Sequence, residues 1–173
     1  FDAAASGKKI HLPDGLTVVC AGDSVIFYET PPEENDILPE GQERAPVEVK
    51  VPGWTDIEGV GLKLHAELMS PGDFYKRSFN SRQACLDFDK TGPVIQSRFF
   101  RPGDRFIPLG MKKSKKLKSF FIDEKVPRAE RRSVPLLTTG DGDIIWIYGK
   151  RIAETYRVTD GTRDVLFVEG VTE

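Results

Sequence analysis

Cysteine, methionine and histidine are scarce in this chain, with two of each among 173 residues. Cys20 and Cys85 lie far apart, each among apolar neighbours. That spacing excludes a disulfide scaffold and favours a reducing, cytoplasmic setting, with both thiols read as small buried hydrophobes rather than nucleophiles. His11 and His65 have no cysteine or second histidine at metal-ligand spacing, so no metal site is expected. No apolar run approaches the roughly 18 residues of a bilayer span, and no membrane partner is expected. Ser6-Gly7-Lys8 lacks the glycines and the strand–helix setting of a phosphate loop, Asp141 and Asp143 are too close for a calcium loop, and no acid–base or nucleophile pair stands out. No catalytic residue is therefore assigned. The chain begins at Phe1 with neither an initiator methionine nor a basic-then-apolar leader, and so reads as a piece of a longer protein.

What is present is mostly strand. Hydrophobic residues make up 39% and charged residues 30%, ordinary values for a water-facing globular protein. Residues 8–28 read as a hairpin or short meander, with Pro13-Asp14-Gly15 as a turn. Residues 30–46, TPPEENDILPEGQERAP, are acidic and proline-rich and read as a linker. The expected division is 1–45, the hairpin and linker, and 46–173, the main domain. VEVKV, LKLHAEL and ACLDFD alternate at the strand period, and Gly140-Asp141-Gly142-Asp143 between LLTT and IIWIY is a hairpin signal. TYRV and DVLFVE read as the last two strands. Ser114 is expected to cap a helix to about Lys125, with Leu117, Phe120, Phe121 and Glu124 on one face. Pro127 is expected at the first position of a second short helix reaching Arg132. The class is α+β: a mainly antiparallel β frame with a short two-helix basic insertion, preceded by a small β-hairpin unit.

That insertion holds the chain's charge asymmetry. Arg98 to Leu137 contains twelve lysines and arginines against four acids, whereas the 97 residues before it carry nine basic and sixteen acidic side chains. The whole chain has a formal net charge of -2. One segment is thus suited to an anion while the rest is acidic. Lys112, Lys113, Lys115, Lys116 and Lys118 crowd the expected helix start, where the helix dipole already disfavours cations; a phosphate backbone would reverse that cost. Arg101-Pro102-Gly103-Asp104-Arg105 is a turn with two readings: structurally, Asp104 braces an arginine or its own turn amides; functionally, Arg101 or Arg105 meets phosphate. Arg128 and Arg132 share a helix face, with Arg131 beside them. Phe99, Phe100, Phe106, Phe120 and Phe121 interleave with these cations, and at their spacing they read as core, which favours duplex over single-stranded nucleic acid.

In order along the chain stand RPGDRF, PLGM, KKLKSFF, KVPRAER, VPLL and a W-x-x-G-x-R-I run from Trp146 to Ile152. Over residues 98–168 this series closely resembles the C-terminal domain of bacterial tRNA(Ile)-lysidine synthetases, with a looser likeness upstream. The resemblance implies an ATP- and magnesium-dependent carbon–nitrogen ligase that adenylates the wobble cytidine of a CAU-anticodon isoleucine tRNA and joins lysine to it. The family's Ser-Gly-Gly-x-Asp-Ser adenylation loop is absent from this sequence, so the piece by itself is expected to hold no cofactor and to be inactive. It implies instead that this part works with the missing N-terminal catalytic domain and holds the tRNA, at the acceptor stem. The implied RNA-binding residues are Arg101, Arg105, Lys112, Lys113, Lys115, Lys116, Lys118, Arg128, Arg131 and Arg132. A-form RNA exposes backbone and a shallow minor groove, so shape and phosphate would be read. Two other classes remain: a protein-interaction module whose basic face meets an acidic partner, and an enzyme with an unrecognised pocket.

Overall fold

The computed structural model describes residues 9–11, 16–21, 24–29 and 44–172. Two compact units are present, Phe1–Glu43 and Arg44–Glu173. In the first, β1 (Lys9–His11), β2 (Leu16–Ala21) and β3 (Ser24–Glu29) form an antiparallel sheet in chain order, the meander that the sequence suggests. The Pro13-Asp14-Gly15 turn and most of the 30–46 linker lie outside the described residues.

The second unit is built on two antiparallel sheets that share a core. Its strands are β4 (Val47–Val49), β5 (Gly53–Ile57), β6 (Leu62–Met69), β7 (Gln83–Asp87), β8 (Ile95–Arg98), β9 (Arg105–Phe106), β10 (Lys115–Lys116), β11 (Leu136–Thr139), β12 (Ile144–Ile147), β13 (Arg151–Ile152) and β14 (Val165–Thr172). One sheet runs β13-β12-β11-β8-β4 and the other β5-β6-β14-β7, while β9 and β10 form a separate two-stranded ribbon. On β6, Leu62, Leu64 and Ala66 point to the core and Lys63, His65 and Glu67 away from it, as the period of two demands. β12 is buried along its whole length, which suits its unbroken apolar run IIWI, and β11 is buried too, with Thr138 and Thr139 following its two leucines. Leu64, Leu86 and Leu166 from one sheet meet Ile95, Leu136 and Ile145 from the other in one cluster.

On the far side of the second sheet, Cys85, Val165 and Phe167 form a smaller cluster covered by Phe74 and Phe79. Phe74 lies on α1 (Pro71–Lys76), which is capped by the Ser70 hydroxyl accepting from the Asp73 amide at 3.1 Å. A short α2 (Phe88–Thr91) follows β7. Burial pushes the Cys85 thiol up to about 12, so it is the inert hydrophobe that its neighbours in the sequence suggest. His65 lies on β6 with Trp54 against it, ring centroids 4.7 Å apart, and Glu169 at 3.8 Å.

Three elements differ from the expectation. The helix α3 spans Leu117–Asp123 rather than starting after Ser114. Its turn toward the core is nevertheless the expected one, with Leu117, Phe120 and Phe121 buried. The second helix is a 3-10 segment, Arg128–Ser133, with Pro127 outside it as the cap. TYRV is not a strand; Glu154–Tyr156 forms a 3-10 turn because the Tyr156 side chain folds inward and donates its hydroxyl to Asp143 at 3.1 Å.

Candidate nucleic-acid interface

The basic stretch is organised around one buried ion pair. The Arg98 guanidinium grips the Asp104 carboxylate with two parallel bonds, Nη1 to Oδ2 at 2.8 Å and Nη2 to Oδ1 at 2.9 Å. Asp104 also accepts the Arg101 amide at 2.8 Å, closing the turn for which Gly103 supplies the left-handed φ of 91°. Asp104 therefore braces Arg98 and its own turn, and the Arg101 and Arg105 side chains lie outside that pair. The Asp104 carbonyl in turn accepts the first amide of α3, Leu117 N, at 2.8 Å. Turn, ribbon and helix are thus tied at a single residue.

This tie explains the shortened helix. β9 and β10 pair with Phe106 opposite Lys115 and Arg105 opposite Lys116. A strand sends Lys115 and Lys116 to opposite faces, whereas a helix would stack them with Lys112 and Lys113 on its positive end. Lys115 reaches back to form an ion pair with Asp123 at the other end of α3. Lys116 is exposed, as are Lys112 and Lys113 in the loop before the ribbon's second strand. The idea that Lys115 and Lys116 project together from a first helical turn is therefore corrected: they belong to a strand, and only Lys116 faces water. Ser114 caps nothing and instead accepts Arg105 Nε at 3.3 Å.

In the 3-10 segment, three residues per turn align Arg128 with Arg131 rather than with Arg132, which corrects the shared face expected for Arg128 and Arg132. Arg131 Nε donates to the Val126 carbonyl at 3.0 Å, so this side chain holds its own segment. Arg128 is exposed and Arg132 half-buried; Arg101 and Lys118 are half-buried too. Of the four acids in the stretch, Asp104 and Asp123 are held by Arg98 and Lys115, and Glu124 stands 3.5 Å from Arg151. Lys112, Lys113 and Lys116 have no acidic partner among the described residues. Four of the aromatics are structural, with Phe106 and Phe120 meeting edge-to-face at 5.1 Å and Phe100 packing on Phe121 at 6.2 Å, while Phe99 is half-buried with the Arg44 guanidinium 5.0 Å over its ring.

Sequence reading missed the strap that carries the lysine loop. Glu154 N donates to the Ile107 carbonyl at 2.7 Å, Leu109 N to Ile152 O at 3.0 Å, and Gly110 N to the Glu154 carboxylate at 2.8 Å. These bonds fasten residues 107–110 to β13 and the turn after it, so Lys112 and Lys113 rise from a fixed base. Arg151, Arg157 and Lys150, beyond the basic stretch, add cations on the same strap. Their position could not be read from spacing, because only the non-local pairing brings them beside residue 109.

A family model described as TilS substrate C-terminal domain matches residues 95–167, the segment that contains the ion pair, the ribbon, α3 and the strap. That segment belongs to the C-terminal domain family of the tRNA(Ile)-lysidine synthases. A tRNA(Ile)-lysidine synthase of Caldanaerobacter subterraneus subsp. tengcongensis is 41% identical over 127 residues, 72% of this chain and 26% of that protein. One from Clostridium tetani is 35% identical over 173 residues, 95% of this chain and 34% of that protein. The chain thus spans between about a quarter and a third of these synthases. A solved structure titled as the crystal structure of a TILS C-terminal domain superposes with a TM-score of 0.64 at 25% identity, covering 74% of this chain and 96% of that one. The two-sheet α+β frame is therefore that of the synthetase C-terminal domain.

Proposed function

We propose that this chain is the tRNA-binding part of a cytoplasmic tRNA(Ile)-lysidine synthetase, holding an isoleucine tRNA with a CAU anticodon while lysine is joined to the wobble cytidine. In this reading the first unit, to about residue 45, closes a middle domain, and the second, from residue 46, docks the tRNA at its acceptor stem. The observation that supports it is the group of exposed lysines 112, 113 and 116 on a fastened loop and ribbon, with Asp104, Asp123, Glu124 and Glu154 held by other cations. Pre-placed cations without internal partners suit a phosphate backbone, which binds by neutralisation and counterion release. ATP and magnesium belong to the adenylation chemistry of the parent enzyme. Among the described residues no group of three His, Cys, Asp or Glu could hold a metal ion. No helix among them is long and apolar enough to cross a membrane.

The test uses the full-length protein carrying Lys112→Ala, Lys113→Ala and Lys116→Ala together. Each lost phosphate contact should flatten the slope of log K against log salt by roughly 0.7–0.9 and weaken different duplex sequences alike. Lys115→Ala alone should do much less, because Lys115 is already paired with Asp123. An unaltered tRNA affinity and slope in the triple variant would sink the reading. Binding of an acidic protein instead of tRNA would favour an interaction module.

A further inference from the structure

We propose that a groove beside the lysine loop receives one unpaired nucleotide from the end of an RNA strand; this rests on the tRNA-binding reading above and names a second, single-stranded contact within it. The groove has a volume of about 610 Å³, within the range of small-ligand sites. It runs between the strap and the edge of the four-stranded sheet. Three features of its wall point to a nucleotide.

The first is charge. Lys150, Arg151 and Arg157 line it, and no acid does. Lys150 sits at the tip of the β12–β13 turn, where its amide donates to the Ile147 carbonyl at 2.9 Å, and its ammonium has no partner among the described residues. Arg157 and Arg151 are half-exposed, with their acids, Glu154 and Glu124, outside the lining. Such exposed pairs are weak and exchange readily for a phosphate.

The second is shape with apolarity. Leu109, Ile152 and Val158 give the groove an apolar surface, and Leu109 is left 40% exposed although the loop around it is bonded down on both sides. A flat base covers such a surface at little entropic cost, as rings and aliphatic side chains do in single-strand binders. The third is the rim, where the Asn80 side-chain NH2, its Oδ1 already accepting the Arg82 amide at 2.8 Å, and the Ser81 hydroxyl can meet a base edge. Cations for the phosphate, an apolar bed for the base and polar groups for its edge form one set. An acidic peptide would use the first and waste the rest. Leu109 of the bed lies on the same loop as Lys112 and Lys113, three and four residues before them.

The test compares two hairpin RNAs of one sequence, one blunt and one with a three-nucleotide 3′ overhang, binding to the full-length protein by fluorescence anisotropy. The overhang should tighten binding about tenfold, and an overhang without bases should recover only part of that gain. In Lys150→Ala and in Leu109→Glu the ratio of overhang to blunt affinity should collapse toward one. A ratio near one in the unaltered protein, or an undiminished ratio in both variants, overturns the inference while leaving duplex binding intact. Failure of the blunt hairpin to bind rejects the duplex reading. In that case overhang binding that Lys150→Ala abolishes still supports the groove, and no binding of either RNA overturns both.

Discussion

At the scale of single residues, Asp104 decides the most. Its carboxylate takes both arms of Arg98 and the Arg101 amide, and its carbonyl takes the first amide of α3. Asp104→Ala leaves a buried guanidinium unpaired, which should cost about 3–5 kcal/mol in urea unfolding. Removing Arg105, which only touches Ser114 at the surface, should cost less than about 1 kcal/mol. Asp87 gives a pH signature. Burial by itself raises its carboxyl, but the Thr162 hydroxyl donating at 2.7 Å and the Lys90 ammonium at 3.1 Å outweigh that and hold it below its ordinary value. A depressed folded-state value means that the contribution is complete above about pH 4, the range of a free aspartate, and is lost as pH falls through the lower folded value. The drop in urea midpoint from pH 6 to pH 3 should therefore be smaller in Asp87→Asn than in the unaltered chain; equal drops would show that Asp87 contributes nothing.

Among the elements, α3 shows what a sequence can and cannot reveal. Its buried face, Leu117, Phe120 and Phe121, was legible because helical spacing and burial are both local. Its start was not, because Lys115 and Lys116 are drawn into a ribbon by Phe106 and Arg105, nine and eleven residues away. The missed strand β5 has the same origin, since GWTDI alternates around a glycine and acquires strand form only by pairing with β6. The Ser70-Pro71 start of α1 carried a capping signal that could have been found. For the candidate site, the cations were legible as composition, while the assignment of which are paired depended on contacts across the fold. Phe121→Ala, at a fully buried position, should destabilise by about 3–5 kcal/mol. Ile122→Ala, next to it and 52% exposed, should change stability by less than about 0.5 kcal/mol. Thermal unfolding of the pair tests the orientation of the helix without any RNA.

At the scale of the molecule, β14 joins the parts. It pairs with β6 over its full length and with β7 on its other side, and its alternate residues feed both hydrophobic clusters. Gly170 within it leaves the space that the ring of Tyr148, in the turn after β12, fills; an added Cβ would stand 2.2 Å from that ring. Amides of β14 from Val165 to Val168 should exchange with deuterium as slowly as any in the domain, and slower than those of the β9–β10 ribbon by orders of magnitude. This strand is also the last of its sheet to be synthesised. While the ribosome is still making it, β6 and β7 have a vacant lane between them and an uncovered apolar side, so the second sheet cannot close until Thr172 has cleared the exit tunnel. Every lysine of the basic loop is therefore already synthesised before its scaffold is whole.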